Sequence, residues 1–257
     1  MTWKTDGPVR GAVADGALVL TLDAPANRNA LSSPLVAGLL AGLDAAEADR
    51  AVRFVVVGHT GGTFCAGADL AEAAREGGPA RGTERLVDLL RRMITFPKPI
   101  VAVVDGHVRA GGLGLLGAAD VVIAGPACTF ALSEARLGLA PAIISLTLAD
   151  RIAPRAWARY ALGGETFDAA EAARIGLVTI AVDDTAAALA EVASAYAKAS
   201  PQGLQATREL VNARLVDSFD ARAAALARRS AELFASDEAQ EGIAAFRERR
   251  PPRWARS

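Results

Sequence analysis

The sequence predicts an α/β fold organised around a parallel sheet, and three observations lead to it. Residues 54–57 (Phe-Val-Val-Val), 100–104 (Ile-Val-Ala-Val-Val) and 121–123 (Val-Val-Ile) are apolar runs with no polar alternation. Such runs mark strands covered on both faces, as parallel strands are. Between the first two, residues 84–94 place Leu86, Leu89, Leu90 and Met93 on one side of a helix. Strands that alternate with helices imply parallel pairing through right-handed crossovers.

The elements follow in order. Residues 9–13 and 18–22 are short β-rich runs around Asp15-Gly16, a turn dipeptide, so a hairpin is expected. A helix follows Asn29-Ala30-Leu31-Ser32. Ser32 or Ser33 can cap it, Pro34 suits its first turn, and Leu35, Leu39, Leu40 and Leu43 form its apolar stripe. Beyond strand 54–57, residues 75–82 contain Gly77-Gly78-Pro79 among alternating charges and read as a mobile loop. Pro97-Lys98-Pro99 then introduces strand 100–104. From about Ile143 helix signals dominate. Asp168 caps one helix that ends at Gly176, and a short strand over 177–182 interrupts the series. After Pro201 only helices are expected, as far as Arg249. These readings divide the chain near Ser200 into a mixed core, residues 1–200, and a helical region, residues 201–257.

Composition narrows the function classes. The chain has 257 residues, 52% of them hydrophobic, enough for one substantial core and too apolar for disorder. A net charge of −1 argues against a nucleic-acid partner, which usually requires a basic surplus. No apolar run is long enough and free enough of Gly and Pro to span a bilayer. The opening Met1-Thr2-Trp3-Lys4-Thr5-Asp6 lacks the apolar centre of a signal peptide. Cys65 and Cys128 form no disulfide framework and suit a reducing compartment. A soluble cytoplasmic protein is expected.

Two glycine-rich turns each follow a buried strand and precede a helix: Gly61-Gly62-Thr63-Phe64-Cys65-Ala66-Gly67-Ala68-Asp69-Leu70 and Asp105-Gly106-His107-Val108-Arg109-Ala110-Gly111-Gly112-Leu113-Gly114. Glycine lets backbone approach a ligand, and a helix start leaves N–H groups free. Two such turns on neighbouring strands can aim two donors at one oxygen, the construction of an oxyanion hole. A rival reading takes Gly112-Leu113-Gly114-Leu115-Leu116-Gly117 as a dinucleotide fingerprint. That motif starts at the strand end, whereas Arg109 and its neighbours intervene here, so the match is weak.

Taken together, the motifs resemble the enoyl-CoA hydratase/isomerase (crotonase) family. They are Asn27-Arg28-Asn29-Ala30-Leu31-Ser32, Phe64 to Leu70, Gly106 with Gly111-Gly112 and Asp120, and Phe130-Ala131-Leu132-Ser133-Glu134 with Leu137-Gly138. Gly163, Ala169, Ala172 and Gly176-Leu177-Val178, then Glu241-Gly242 with Phe246, continue in the same order to the C-terminal region. The resemblance implies a crotonase-like spiral of β-β-α units forming two stacked sheets, with a helical C-terminal trimerisation region. It implies acyl-CoA thioester substrates, no metal, no separate cofactor because CoA is carried by the substrate, and a homotrimer or dimer of trimers.

Residue by residue, the resemblance assigns the two oxyanion donors to the backbone N–H groups of Ala68 and Gly111, and one catalytic glutamate to Glu134. A carboxylate among apolar residues is desolvated and its pKa rises, as suits a general acid/base. The family's second glutamate falls on Gly114. Two carboxylates hold the water of hydration from both sides, whereas one base suffices to move a double bond. An enoyl-CoA hydratase is therefore expected by resemblance, with a single-glutamate Δ3,Δ2-enoyl-CoA isomerase or a weakly catalytic acyl-CoA-binding oligomer as alternatives. Restored or accelerated hydration on replacing Gly114 by Glu would show that the missing carboxylate limits the reaction. CoA contacts fall on Arg28 with Ala26 and Ala30, on Ala66 and Asp69, and on Phe246 and Arg249. Phe246 and Arg249 match residues that in the family often reach CoA across a subunit boundary. Asp69 is read first as a helix cap and Cys65 as a small buried residue. Arg109 is a candidate partner for an acidic acyl tail or for Glu134. His59 and His107 are weaker candidates for the missing proton carrier.

Overall fold

In a computed structural model of the chain, residues 2–3, 7–76 and 78–255 are described; Met1, Lys4 to Asp6, Gly77 and Arg256 to Ser257 lie outside them, as do the parts of the readings above that fall there. The strands are β1 (Thr2–Trp3), β2 (Val9–Ala14), β3 (Ala17–Leu22), β4 (Phe54–His59), β5 (Thr63–Cys65), β6 (Ile100–Val104), β7 (His107–Arg109), β8 (Val121–Ala124), β9 (Thr129–Ala131), β10 (Phe167–Asp168) and β11 (Ile180–Ala181). The helices are α1 (Ser33–Ala48), α2 (Leu70–Arg75), α3 (Ala80–Ile94), α4 (Gly111–Ala118), α5 (Ser145–Leu148), α6 (Pro154–Gly163), α7 (Ala169–Arg174), α8 (Thr185–Lys198), α9 (Pro201–Phe234) and α10 (Asp237–Glu248).

The expected spiral is present. The chain lays β4 in a larger sheet and β5 in a smaller one, then repeats the step with β6 and β7 and with β8 and β9. The larger sheet runs β1-β2-β3-β4-β6-β8-β11, parallel from β3 onward, and the smaller runs β10-β9-β7-β5. Uninterrupted apolar strands are explained by cores on both faces. Val55 and Val57 enter the main core, while Phe54, Val56, Val101 and Ile123 pack on the other face beneath Leu189 and Val192 of α8. The β2–β3 hairpin turns at Asp15 and Gly16, both at positive φ, as a type I′ turn requires.

Three local expectations are corrected. Residues 80–82 are helical, so the loop expected over 75–82 shrinks to the short connection between α2 and α3. Arg85 draws the two helices together through Glu76 at 2.9 Å and Glu72 at 3.5 Å. Neither Ser32 nor Ser33 caps α1 with its side chain; the N–H of Ser33 donates instead to Glu72 Oε2, 2.9 Å away. The strand expected over 177–182 contracts to β11.

The long α9 is bolted to the core by charge. Arg208 Nε donates to Asp120 Oδ2 at 2.7 Å, and its other nitrogens reach the carbonyls of Met93, Ile94 and Phe96. Asn212 donates to Asp120 Oδ1 at 3.0 Å and accepts from Arg151 Nη2 at 2.9 Å. No helix among the described residues is long and apolar enough to cross a membrane.

Candidate functional site

The site is assembled at one edge of the smaller sheet. Strands β5, β7 and β9 are adjacent and parallel, so their C-terminal ends face the same way. Ala68 stands three residues beyond β5, Gly111 two beyond β7 and Glu134 three beyond β9. Neighbouring strands lie about 4.8 Å apart, which gathers the three predicted catalytic positions at one edge. Strand carboxyl ends are where open α/β sheets bind ligands.

The two donor loops touch. A Cβ built on Gly67 would lie 2.8 Å from Ala110 Cβ and 3.2 Å from the Gly111 nitrogen. Leu31 donates its N–H to Gly67 O at 2.8 Å, and Ala66 donates to Arg28 O at 3.1 Å, which pins the first loop from behind. The N–H groups of Ala68 and Gly111 donate to no acceptor among the described residues. Gly111 opens α4, where a free N–H and the positive end of the helix coincide. Ala110, just before it, has φ 45° and ψ −120°, a conformation rare for a residue with a Cβ. Strain of this kind concentrates at functional sites, and here it sets the direction of the Gly111 N–H. An alanine in sequence carries no signal of it.

Glu134 begins a 3-10 turn, Glu134–Leu137. Its Oε2 is buried without a hydrogen-bond partner, and burial pushes its pKa up to about 7. A carboxyl near neutrality both takes and returns protons efficiently. Gly111 faces Leu31 and Leu86, since a Cβ there would meet Leu31 Cδ1 at 2.6 Å and Leu86 Cδ2 at 3.5 Å. These two leucines, from the loop before α1 and from α3, line the donor side with aliphatic surface.

Gly114 is a closed position. A Cβ there would lie 2.9 Å from Ile144 Cγ2 and 3.4 Å from Leu90 Cδ1. One turn on, a Cβ at Gly117 would collide with Thr147 O at 2.7 Å, and Thr147 Oγ1 donates to Gly114 O at 3.0 Å. The glycines on this face of α4 let α5 and the residues before it approach backbone to backbone. A glutamate at 114 therefore needs Ile144, which fills that space, to give way.

The other candidates fall into place. Arg109 does not meet Glu134; its guanidinium donates to Thr129 O at 2.6 Å and Thr129 Oγ1 at 2.9 Å. His107 Nδ1 lies 2.8 Å from the same hydroxyl, and His59 Nε2 accepts the Asp105 N–H at 3.0 Å. Burial lowers the His59 pKa. Cys65 is fully buried, its thiol pushed up to about 12, and its Sγ accepts the Gly67 N–H at 3.4 Å, a supporting role. Asp69 caps α2, accepting from Ala71 and Glu72 at 3.0 and 2.9 Å.

Of the residues expected at CoA, Arg28 and Ala26 are exposed, Ala66 is half-buried and Ala30 is buried. Phe246 is 55% exposed at the end of α10, with Arg249 at its C-cap. Asn29, whose role beside Arg28 was not foreseen, is fully buried. It accepts the Ala24 N–H at 2.7 Å and donates to Thr60 O and Thr63 O at 3.1 and 2.8 Å. These bonds hold the Arg28 loop to the first glycine turn. Its φ of 52° lies in the left-handed region, where Asn is enriched among residues other than glycine. Among the described residues, no group of three or more His, Cys, Asp or Glu is arranged to hold a metal.

Residues 13–257 match the sequence profile of the family described as enoyl-CoA hydratase/isomerase. The crystal structure of an enoyl-CoA hydratase from Mycobacterium avium is 48% identical with a TM-score of 0.92, covering 98% of this chain and 100% of that one. The 2,3-dehydroadipyl-CoA hydratase of Escherichia coli is 33% identical, over 91% of this chain and 93% of its own length. The mevalonyl-coenzyme A hydratase of Aspergillus fumigatus is 32% identical, over 92% and 90%.

Proposed function

The chain belongs to the enoyl-CoA hydratase/isomerase family, and on that premise we propose how its residues act on an acyl-CoA thioester. The thioester oxygen sits between the N–H groups of Ala68 and Gly111, which hold negative charge as it develops in an enolate. Each donor of this kind lowers the barrier by about 3 kcal/mol. Glu134 is the proton carrier. In hydration its carboxylate takes a proton from water as the oxygen adds to C3 of the enoyl group. The resulting carboxylic acid then protonates C2, which yields the 3-hydroxyacyl-CoA and regenerates the carboxylate. The observation that carries this reading is the convergence, at adjacent strand ends, of Ala68, Gly111 and a Glu134 whose buried Oε2 has no partner.

A second reading has one specific support, the filling of the Gly114 position by Ile144. With no second carboxylate to orient water, Glu134 instead moves a proton between C4 and C2 and shifts the double bond. Assays of crotonyl-CoA hydration and 3-enoyl-CoA isomerisation, with wild type and Glu134→Gln, separate the two. Full turnover by the variant on both substrates would remove Glu134 from the mechanism. CoA-ester binding without turnover on either substrate would favour a binding protein.

CoA itself is assigned to Arg28, Ala26, Ala30 and Ala66, with Phe246 and Arg249 at the mouth, and no separate cofactor is required. The assembly is a homotrimer or a dimer of trimers. Exposed Leu210 and Val211 on α9, at 80% and 60%, support burial against a second copy. Light scattering tests it. A cytoplasmic location is supported by two buried cysteines left as free thiols.

A further inference from the structure

The Glu241-Gly242 motif plays no part in the chemistry above, yet it lies against the segment that carries Glu134. A Cβ on Gly242 would sit 2.4 Å from Leu137 O, and one on Gly138 would sit 2.7 Å from the Glu238 carbonyl carbon. Helix α10 therefore meets the Glu134 turn backbone to backbone at two points, each made possible by a glycine. On its other side the turn is fixed to the end of α6, because Arg136 Nε donates to Gly163 O at 2.9 Å.

The helix itself is latched. Glu241 accepts from Arg250 Nη1 and Nη2 at 2.7 and 3.0 Å and from the Arg253 N–H at 2.9 Å, folding the following chain back onto the helix. Near its end Arg247 Nη2 donates to Leu70 O at 3.0 Å, the first residue of the helix that Asp69 caps beside Ala68. One helix thus touches the segment bearing Glu134 and the segment behind an oxyanion donor.

We propose that α10 is a clamp that sets the position of the Glu134 carboxyl, with Gly242 as its positioning residue and the Glu241–Arg250 pair as its latch. The proposal rests on Glu134 being the proton carrier. A side chain at 242 displaces the Leu137 carbonyl, rotates the turn and lets water reach the buried Oε2. Hydration of that oxygen moves its pKa from about 7 back toward the ordinary carboxylate range.

The test uses the full chain with Gly242→Ala, Glu241→Gln and Glu134→Gln. Carboxyl 13C NMR follows the titration of Glu134, whose resonance is identified by its loss in Glu134→Gln. In parallel, kcat and KM are measured against pH on whichever enoyl-CoA the wild type turns over. Gly242→Ala is expected to lower the Glu134 midpoint and the acid limb of kcat together by about one pH unit, with kcat down about tenfold and KM nearly unchanged. Glu241→Gln is expected to move both midpoints the same way by less. A folded Gly242→Ala protein with wild-type midpoints overturns the clamp. If that variant does not fold, wild-type midpoints in Glu241→Gln overturn it instead. Wild-type kcat in Glu134→Gln would defeat the underlying reading of Glu134, whereas shifted NMR midpoints would still uphold the clamp as a structural device.

Discussion

Gly114→Glu is the substitution whose outcome the packing decides most directly. Its Cβ would lie 2.9 Å from Ile144 Cγ2 and 3.4 Å from Leu90 Cδ1, so the first added carbon already overfills the space. Overpacking of this order costs about 1–3 kcal/mol. Burying a carboxyl without a partner adds roughly 1–3 kcal/mol. For a chain of this length the sum corresponds to a fall in Tm on the order of 10 °C. Ile144→Ala removes the Cγ2 methyl and costs about 2–5 kcal/mol by itself. Because the two positions touch, the double variant should recover part of both losses, with a favourable coupling of roughly 1–3 kcal/mol. It should also hydrate crotonyl-CoA faster than either single variant, since only there does a carboxylate fit beside the water. The assay is a double-mutant cycle read by denaturant titration and by initial hydration rates. A Gly114→Glu protein as stable as wild type, or a coupling of zero, would refute the packing argument.

Other outcomes follow from the same geometry. Glu134 keeps a proton in the folded chain that the unfolded chain releases between pH 4.5 and about 7, so stability falls as pH rises through that window. Glu134→Gln should remove the slope and be about 3 kcal/mol more stable than wild type above pH 7, with little difference below pH 4.5; equal differences at both ends would contradict this. Gly67→Ala, at φ 91° with its Cβ 3.2 Å from the Gly111 nitrogen, should lower kcat about 100-fold by spreading the two donors. Wild-type kcat in that variant would count against the oxyanion assignment. Arg208→Met takes the opposite charge from Asp120, which keeps only its bonds from Ile100 and Asn212, leaves three carbonyls without this donor, and should cost about 3–5 kcal/mol in chemical denaturation.

Legibility in the sequence followed how local each cause is. The strands 54–57 and 100–104 were readable because burial on both faces leaves an uninterrupted apolar run. The start of α3 was not, since Gly82 and the Gly-Gly-Pro before it signal a loop. Ion pairs from Arg85 to Glu76 and Glu72, nine and thirteen residues away, outweigh that signal. The donor loops could be located from their glycines and from family likeness. Ala110 could not, because its positive φ is imposed by the structure around it. Gly114 looked like an absence until Ile144, thirty positions later, was seen to occupy its space. The charged anchor of α9 joins residues 88 apart and leaves no periodic trace.

Arg208 also gives the wall of the site a mechanical character. Its guanidinium closes the C-terminal carbonyls of α3, the helix whose Leu86 and Leu90 face Gly111 and Gly114. The other end of α3 is tied by Arg85 to α2, which starts directly behind Ala68. The wall is thus held at both ends, by α9 through Arg208 and by α2 through Arg85, so the loop carrying Ala68 and the leucines facing Gly111 and Gly114 share one frame.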